Sequence, residues 1–283
     1  MHMKKILFIA TLAALLPLLF SCGKQDKGGE SQFEEPRFVQ YAGKLIPRGG
    51  DPQPSSRAIA PRSVATSIVY LEFTESGMYV LGRNVNNDVQ YTFGSYTVSG
   101  NVYTLSSFGT VEFNNSAEGE IDVKITPNGG AAETIKANLK KSSSPNVAYR
   151  TWTIDKVRMT VNGWDVPVTA EFNGCNLTEI ADFLNKNGFK GVYLPSCSLN
   201  TISFTGSGSI LFAFSDNTVD VGECTISGSV VNFSWTSKNR LFELENGRAT
   251  IDYMDGKCIL KIDGKLKDST TSGTVTFVMS PMK

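Results

Sequence analysis

Alternating apolar and polar positions dominate the second half of the chain and predict short antiparallel strands. β-Branched and aromatic residues recur at every second position between turn signals. The predicted strands cover residues 152–161, 164–172, 199–205, 208–214, 218–226, 229–236, 248–254, 257–266 and 273–279. Their turn signals include Asn162-Gly163, typical of a type I′ hairpin, and Ser215-Asp-Asn217, Ser227-Gly228, Asn246-Gly247 and Asp255-Gly256. Such a chain has to close into a barrel or fold into a sandwich of two sheets, and the sequence leaves both open.

One segment changes from this alternating period to a helical period. Asn176 followed by Glu179 is typical of a capping box, and the apolar residues at 180, 183 and 184 lie on one helical face. Gly188 is a candidate C-cap. The pattern predicts a helix over residues 176–187, the one substantial helix of a mainly β body.

The chain also matches itself in two blocks. Phe73-Thr-Glu-Ser-Gly77 recurs as Phe204-Thr-Gly-Ser-Gly208, which defines the first-block alignment. Residues 94–102 recur as residues 222–230, which defines the second-block alignment. The spacing between the blocks differs slightly between the copies, as is typical of a length change in the hairpin loop that joins them. The sequence therefore predicts tandem antiparallel meander repeats, in which Phe73 is equivalent to Phe204 and Gly100 to Gly228.

The N-terminus has the pattern of a signal peptide. Lys4 and Lys5 precede an apolar run over residues 6–20, which is shorter than the about 20 helical residues that cross a bilayer. The run ends in Leu19-Phe20-Ser21-Cys22, which resembles the lipobox of bacterial lipoproteins. This resemblance implies removal of residues 1–21 and lipidation of Cys22, followed by a polar tether over residues 22–35. The alternative is an ordinary leader followed by a chance cysteine.

Composition excludes several classes of function. The 27 basic and 27 acidic residues balance, and loss of Lys4 and Lys5 with the leader leaves no basic excess to bind nucleic acid. The one histidine, His2, precedes the predicted cleavage site, so the mature chain has no imidazole for catalytic triads or zinc sites. Phosphate-binding glycine loops and C-x-x-C motifs are also absent from the sequence. We therefore expect a non-enzymatic protein without a cofactor or metal.

Paired carboxylates are the one acid–base route that the composition leaves open. Asp165 with Glu171, or Asp220 with Glu223, are the candidate pairs for a glycosidase-type site. Residues 216–220 carry oxygen ligands but lack the spacing of a calcium loop, so we interpret them as a plain turn.

Four cysteines follow Cys22. Cys175 and Cys197 flank the predicted helix, whereas Cys224 and Cys258 share strand faces with apolar residues. An oxidising envelope permits a disulfide between Cys175 and Cys197, which we predict, with the other two left as free, buried thiols. The alternative is four buried thiols.

Several motifs of the second repeat together resemble one family. The Trp152-Thr-Ile154 opening, the Val161-Asn-Gly-Trp-Asp-Val166 hairpin, the helix and the Phe-Thr-x-Ser-Gly turn resemble the lipocalin-like domains of Bacteroidetes envelope lipoproteins. The resemblance covers residues 150–283. The first copy departs from it, since prolines stand at 47, 52, 54 and 61, which leaves open whether that repeat is a complete barrel. We predict a first β repeat over residues 36–144 and a second over 145–283, with Ser142-Ser-Ser-Pro145 at the boundary.

The resemblance implies an apolar cavity in the second barrel. Its candidate lining residues are Phe212, Phe214, Phe233 and Trp235, and the alternative for them is a packed core. The function expected first is an envelope lipoprotein, held to the outer membrane by lipid on its periplasmic side or at the cell surface, that binds a small apolar or glycan ligand. The alternative is a structural or interaction protein that docks a partner through its β domains.

Overall fold

The computed structural model describes residues 43–47, 67–86, 88–113, 119–141, 146–162, 166–188, 192–236, 243–265 and 272–282. These residues form seventeen β-strands and one α-helix. The predicted signal peptide, Cys22 and the tether lie outside the described residues.

The first repeat is a closed antiparallel barrel of eight strands. The strands are β1 (Gly43–Pro47), β2 (Ile68–Phe73), β3 (Met78–Val85), β4 (Asp88–Ser99), β5 (Val102–Leu105), β6 (Gly109–Glu112), β7 (Gly119–Pro127) and β8 (Glu133–Lys141). Each pairs with the next, and β8 pairs back with β1. Pro47 is compatible with this closure because it is the last residue of β1. The question that the sequence left open is thereby answered, since the first repeat is a complete barrel.

The second repeat curls onto its own first strand. Its strands are β9 (Thr151–Asn162), β10 (Val168–Asn173), β11 (Leu199–Phe204), β12 (Ser209–Phe214), β13 (Val219–Ser227), β14 (Val230–Thr236), β15 (Glu243–Met254), β16 (Lys257–Lys265) and β17 (Ser272–Pro281). On one edge, the first half of β9 pairs with β11 and the second half with β10. The opposite edge pairs with β17 along residues 152–162. Strands β9 and β11 to β17 therefore form a closed ring, and β10 pairs with β9 beside it. The predicted lipocalin-like barrel is correct, and the sandwich alternative is wrong.

Two predicted turns are wrong. Val161 pairs with Val168, so the connection spans residues 163–167, and the return strand begins at Val168 rather than at residue 164. Pro167 stands directly before β10 and has no N–H to donate to a ladder. The second error is Asn246-Gly247, which lies inside β15, where a shift in the pairing register with β14 absorbs the irregularity.

The structure confirms the repeat. In the first-block alignment, the pairing register of β2 with β3 is the same as that of β11 with β12, and both contain a bulge at the equivalent place. Phe73 and Phe204 both end the strand before the matched turn. Gly100 and Gly228 both have a left-handed backbone, with φ of 62° and 58°, in equivalent hairpin turns.

The predicted helix is also confirmed. Helix α1 (Leu177–Lys186) is the one helix among the described residues, and its N-cap Asn176 accepts hydrogen bonds from the N–H groups of Thr178 and Glu179. Its C-cap is Asn187, and the predicted cap Gly188 follows with a left-handed φ of 94°. The buried helix side chains belong to the same hydrophobic cluster as the interior of the second barrel.

Candidate functional site

The proposed ligand-lining residues belong to the core of the second barrel. Phe212 and Phe214 of β12 and Phe233 of β14 are buried, with exposed fractions of 2%, 4% and 3%. They share one hydrophobic cluster with the fully buried Trp152 and Phe204. The side chain of Trp235, the fourth candidate, lies outside the described residues.

The burial of these side chains shows whether they pack against one another or line an empty cavity. A side chain that lines an empty cavity keeps surface that a water molecule can reach. Trp152, Phe204, Ile210 and Leu260 keep none, with exposed fractions of 0%. Eight-stranded barrels are just wide enough for side chains to fill them or to hold one small ligand. At the described positions, side chains fill the second barrel.

Helix α1 closes part of this barrel from the side of the β12–β13 turn. The N–H of Leu177 donates to the carbonyl of Cys197 at 3.1 Å. The N–H of Ser198 donates to Oγ of Ser215 in that turn at 2.9 Å. Phe183 of the helix packs edge-on against Phe172 of β10, with ring centroids 5.8 Å apart.

The start of β9 carries a cation beside an aromatic ring. The guanidinium carbon of Arg150 lies 5.6 Å from the ring centroid of Trp152, within cation–π distance. The indole N–H of Trp152 donates to the carbonyl of Ala148 at 3.0 Å. Tyr253 lies 6.0 Å from the same indole, and burial raises the pKa of its phenol. The indole is thus held at its polar edge and packed between a cation and a second ring.

The most strongly buried charged residue lies between the two barrels. Glu72, at the end of β2, has an exposed fraction of 0%. Its carboxylate accepts hydrogen bonds from the hydroxyls of Thr205, at 2.8 Å, and of Ser207. Both donors are buried and belong to the second barrel, so a carboxylate of one barrel is held by a turn of the other.

A tyrosine completes the surroundings of this carboxylate. The hydroxyl of Tyr70 donates to Glu72 and lies 3.1 Å from Oγ of Ser209. Burial, and then the neighbouring carboxylate, hold the pKa of Tyr70 well above its usual range. Tyr70 therefore stays protonated and acts as a donor. The group is a carboxylate surrounded by hydroxyl donors, an arrangement suited to holding two domains together.

Sequence reasoning missed Glu72, although the repeat contains a signal for it. The equivalent residue in the first-block alignment is Ser203, so one copy carries a charge where the other carries a small polar group. Glu72 also interrupts the apolar run Ile68–Phe73. A carboxylate in a strand that is apolar on both faces has to find donors, because burying a lone charge is costly.

The structure does not assemble the predicted acid pairs from the residues it describes. Asp220 and Glu223 are three positions apart on β13 and so point to opposite faces of the strand. Glu171 is exposed and forms ion pairs with Lys156 and Arg158, at 3.0 and 3.6 Å. Asp165 lies outside the described residues.

Residues 216–218 form a local turn, as predicted, and residues 219 and 220 begin β13. The carboxylate of Asp216 accepts hydrogen bonds from the N–H and the hydroxyl of Thr218, at 3.2 and 2.7 Å. In the described ranges, no three His, Cys, Asp or Glu side chains come together as a metal site would require.

The four cysteines that the structure describes are buried thiols, and no disulfide joins any two of them. This agrees with the prediction for Cys224 and Cys258. Cys175 and Cys197 lie on one buried face, diagonally across the bridge between Asn176 and Ser198. Diagonal neighbours are typically about 7–8 Å apart, just beyond the Cα separation of about 7 Å that a disulfide spans. The disulfide stays a prediction, and it requires a small backbone movement.

We expect protein extracted from its envelope to contain a peptide linked through Cys175 and Cys197. Closing this loop stabilises the fold by roughly 3 kcal/mol in the chain-entropy model. Because burial raises the pKa of the Cys175 thiol to about 12, the reduced protein should resist alkylation until it unfolds. Non-reducing peptide mapping measures both. Four alkylatable thiols after unfolding without reductant would contradict the prediction.

No protein-family model and no curated protein sequence matches the chain. Helix α1, with ten residues, is the one helix in the described part of the chain, and no helix there has the length and apolarity needed to cross a membrane.

Proposed function

We propose that the chain is a lipid-anchored, non-enzymatic cell-envelope protein that acts through its outer surface, as an interaction protein. The observation that supports this choice over ligand binding is the burial of the second-barrel interior. Phe212 and Phe233, which a ligand would contact, are enclosed by other side chains. Because the described side chains of the interior pack against one another, we place recognition on the outer surface.

Tyr193 is the candidate contact residue on that surface. It follows helix α1 and is 78% exposed, the largest value among the exposed large apolar side chains that the structure describes. Its position is fixed, because the side-chain amide of Asn185 donates to the carbonyl of Val192 at 2.8 Å and accepts from its N–H at 3.1 Å. A tyrosine presented on a fixed backbone provides contact area at low entropic cost, as protein and glycan contacts often do.

Site-specific photo-crosslinking tests this proposal. A photoreactive phenylalanine analogue at position 193 is expected to form a covalent adduct with an envelope partner, whereas the same analogue at exposed Asn232 of β14 should form none. Native mass spectrometry of the purified protein should give the mass of the mature chain with its lipid on Cys22 and no further bound molecule. A co-purifying lipid or glycan, with no adduct at position 193, would return the function to ligand binding.

The lipid anchor is tested separately. Cys22→Ala should release the protein from membranes, because the motif Leu19-Phe20-Ser21-Cys22 offers one cysteine for acylation. Metabolic labelling with a fatty acid, followed by membrane fractionation, measures the change. Labelling that persists in the Ala variant would show that the anchor lies elsewhere.

A further inference from the structure

The two barrels bury apolar side chains against each other. Each barrel has a hydrophobic cluster in its interior. A separate cluster contains the buried residues Tyr70 and Val80 from the first barrel and Leu211 and Val219 from the second. Tyr91, Phe93 and Val221, partly buried, pack against it. These side chains lie on the outer faces of their barrels, so the contact is one between two barrel surfaces.

Three of the contributing positions are used by both repeats. In the first-block alignment, Val80 corresponds to Leu211. In the second-block alignment, continued toward the N-terminus, Tyr91 and Phe93 correspond to Val219 and Val221. The strands that carry the second set, β4 and β13, are themselves equivalent and contact each other. Each barrel thus presents the same part of its surface to the other.

One contact joins a position to its own equivalent. The carboxylate of Glu75 accepts a hydrogen bond from the N–H of Gly206 at 3.0 Å, and these two residues are matched in the first-block alignment. A position can meet its own equivalent only near an axis of two-fold symmetry.

One polar contact away from this point has an equivalent across the interface. Glu72 of the first barrel accepts from Ser207 of the second. In the first-block alignment, the equivalent contact is that of Ser203 of the second barrel with Ser76 of the first. The hydroxyl of Thr151 bridges these two serines, at 2.8 Å from Ser203 and 3.1 Å from Ser76. A glutamate spans the gap directly, whereas the shorter serine needs a bridging hydroxyl.

We infer that the two barrels associate about a local two-fold axis, as the subunits of a symmetric dimer do, through a surface that holds without the covalent connection. In a symmetric interface, residue i contacts j and j contacts i, and the contacts of Glu72 with Ser207 and of Ser203 with Ser76 through Thr151 follow this rule. The partner that fits this surface is another barrel of the same repeat, including one from a second copy of the chain. This inference goes beyond the proposed function and does not depend on it.

Cleaving the connection between the barrels in the full-length protein tests the inference. A protease site is inserted between Ser144 and Pro145, and the folded protein is then cut. The two pieces are expected to elute together at the size of the intact chain. When cut protein is mixed with a cut, ¹⁵N-labelled preparation, native mass spectrometry should detect hybrids that combine one labelled and one unlabelled piece.

Matched variants locate the surface. Leu211→Arg, and its equivalent Val80→Arg, should make the pieces separate after cleavage, whereas Thr225→Arg, at an exposed position of β13, should leave them together. Circular dichroism of the uncut variants checks that the strands are retained. Separation of the unmodified pieces, absence of hybrids after prolonged mixing, or continued association of both Arg variants would each overturn the inference.

Discussion

Replacing Phe212 by alanine is expected to lower the free energy of unfolding by about 3–5 kcal/mol, the usual cost of deleting a buried phenyl ring. Phe212 is 2% exposed and lies in the continuous core of the second barrel. Removing the ring leaves a void that a closed barrel cannot collapse to fill, because ladder hydrogen bonds hold its strands apart. Urea denaturation followed by tryptophan fluorescence measures the change.

The same substitution distinguishes a core from a ligand cavity. Tyr193→Ala removes a comparable ring from a 78% exposed position and should change stability by no more than about 0.5 kcal/mol. If Phe212→Ala also cost less than about 1 kcal/mol, the ring would be lining open space rather than packing. That outcome would revive ligand binding as the function.

Local signals in the sequence predicted most of the elements. Strand period and glycine turns are local, so β11 to β14 and the turn at Gly228 follow from a few neighbouring residues. The capping residue Asn176 likewise marked the start of α1. The predicted hairpin at Asn162-Gly163 was wrong, since the return strand begins only at Val168. Pro167, directly before it, cannot donate a ladder hydrogen bond, and the local turn signal did not take this residue into account.

Long-range features were beyond these signals. Closure of the first barrel depends on the pairing of β1 with β8, which are far apart in sequence and have no motif of their own. The outward-facing Val80 and Leu211 gave no sign of a partner, because a strand with apolar residues on both faces is also typical of a buried central strand. The repeat predicted that the barrels are alike, and the contacts between them emerged only from the structure.

The filled barrel interior and the buried contact between barrels have a common consequence for function. Trp152 and Phe204 are buried in the core of the second barrel, and hydrogen bonds of Glu72 join that barrel to the first. We propose that Tyr193 is presented by this joined pair of barrels. Rigid presentation lowers the entropy lost on binding, which suits recognition through the surface.

Glu72→Ala is expected to destabilise the pairing of the two barrels by roughly 2–4 kcal/mol, because a buried donor left without an acceptor costs about 1–3 kcal/mol. The substitution removes the acceptor of Tyr70, Thr205 and Ser207 together. Tyr70 keeps the hydroxyl of Ser209 as a second partner and Thr205 keeps the carbonyl of Ser209, which moderates the loss. Glu72→Gln keeps one acceptor oxygen and should lose less.

The equivalent position in the second repeat provides the matched control. Ser203→Ala removes one hydroxyl, which lies 2.8 Å from that of Thr151, and should cost about 0.5–1.5 kcal/mol. Differential scanning calorimetry measures stability, and small-angle X-ray scattering reports whether the barrels stay together. We expect Glu72→Ala to extend the molecule while each barrel keeps its strands, since the carboxylate contacts both repeats but lies outside the two interior clusters. A compact molecule of unchanged stability would show that the apolar contact of Val80 with the second barrel holds the pair without Glu72.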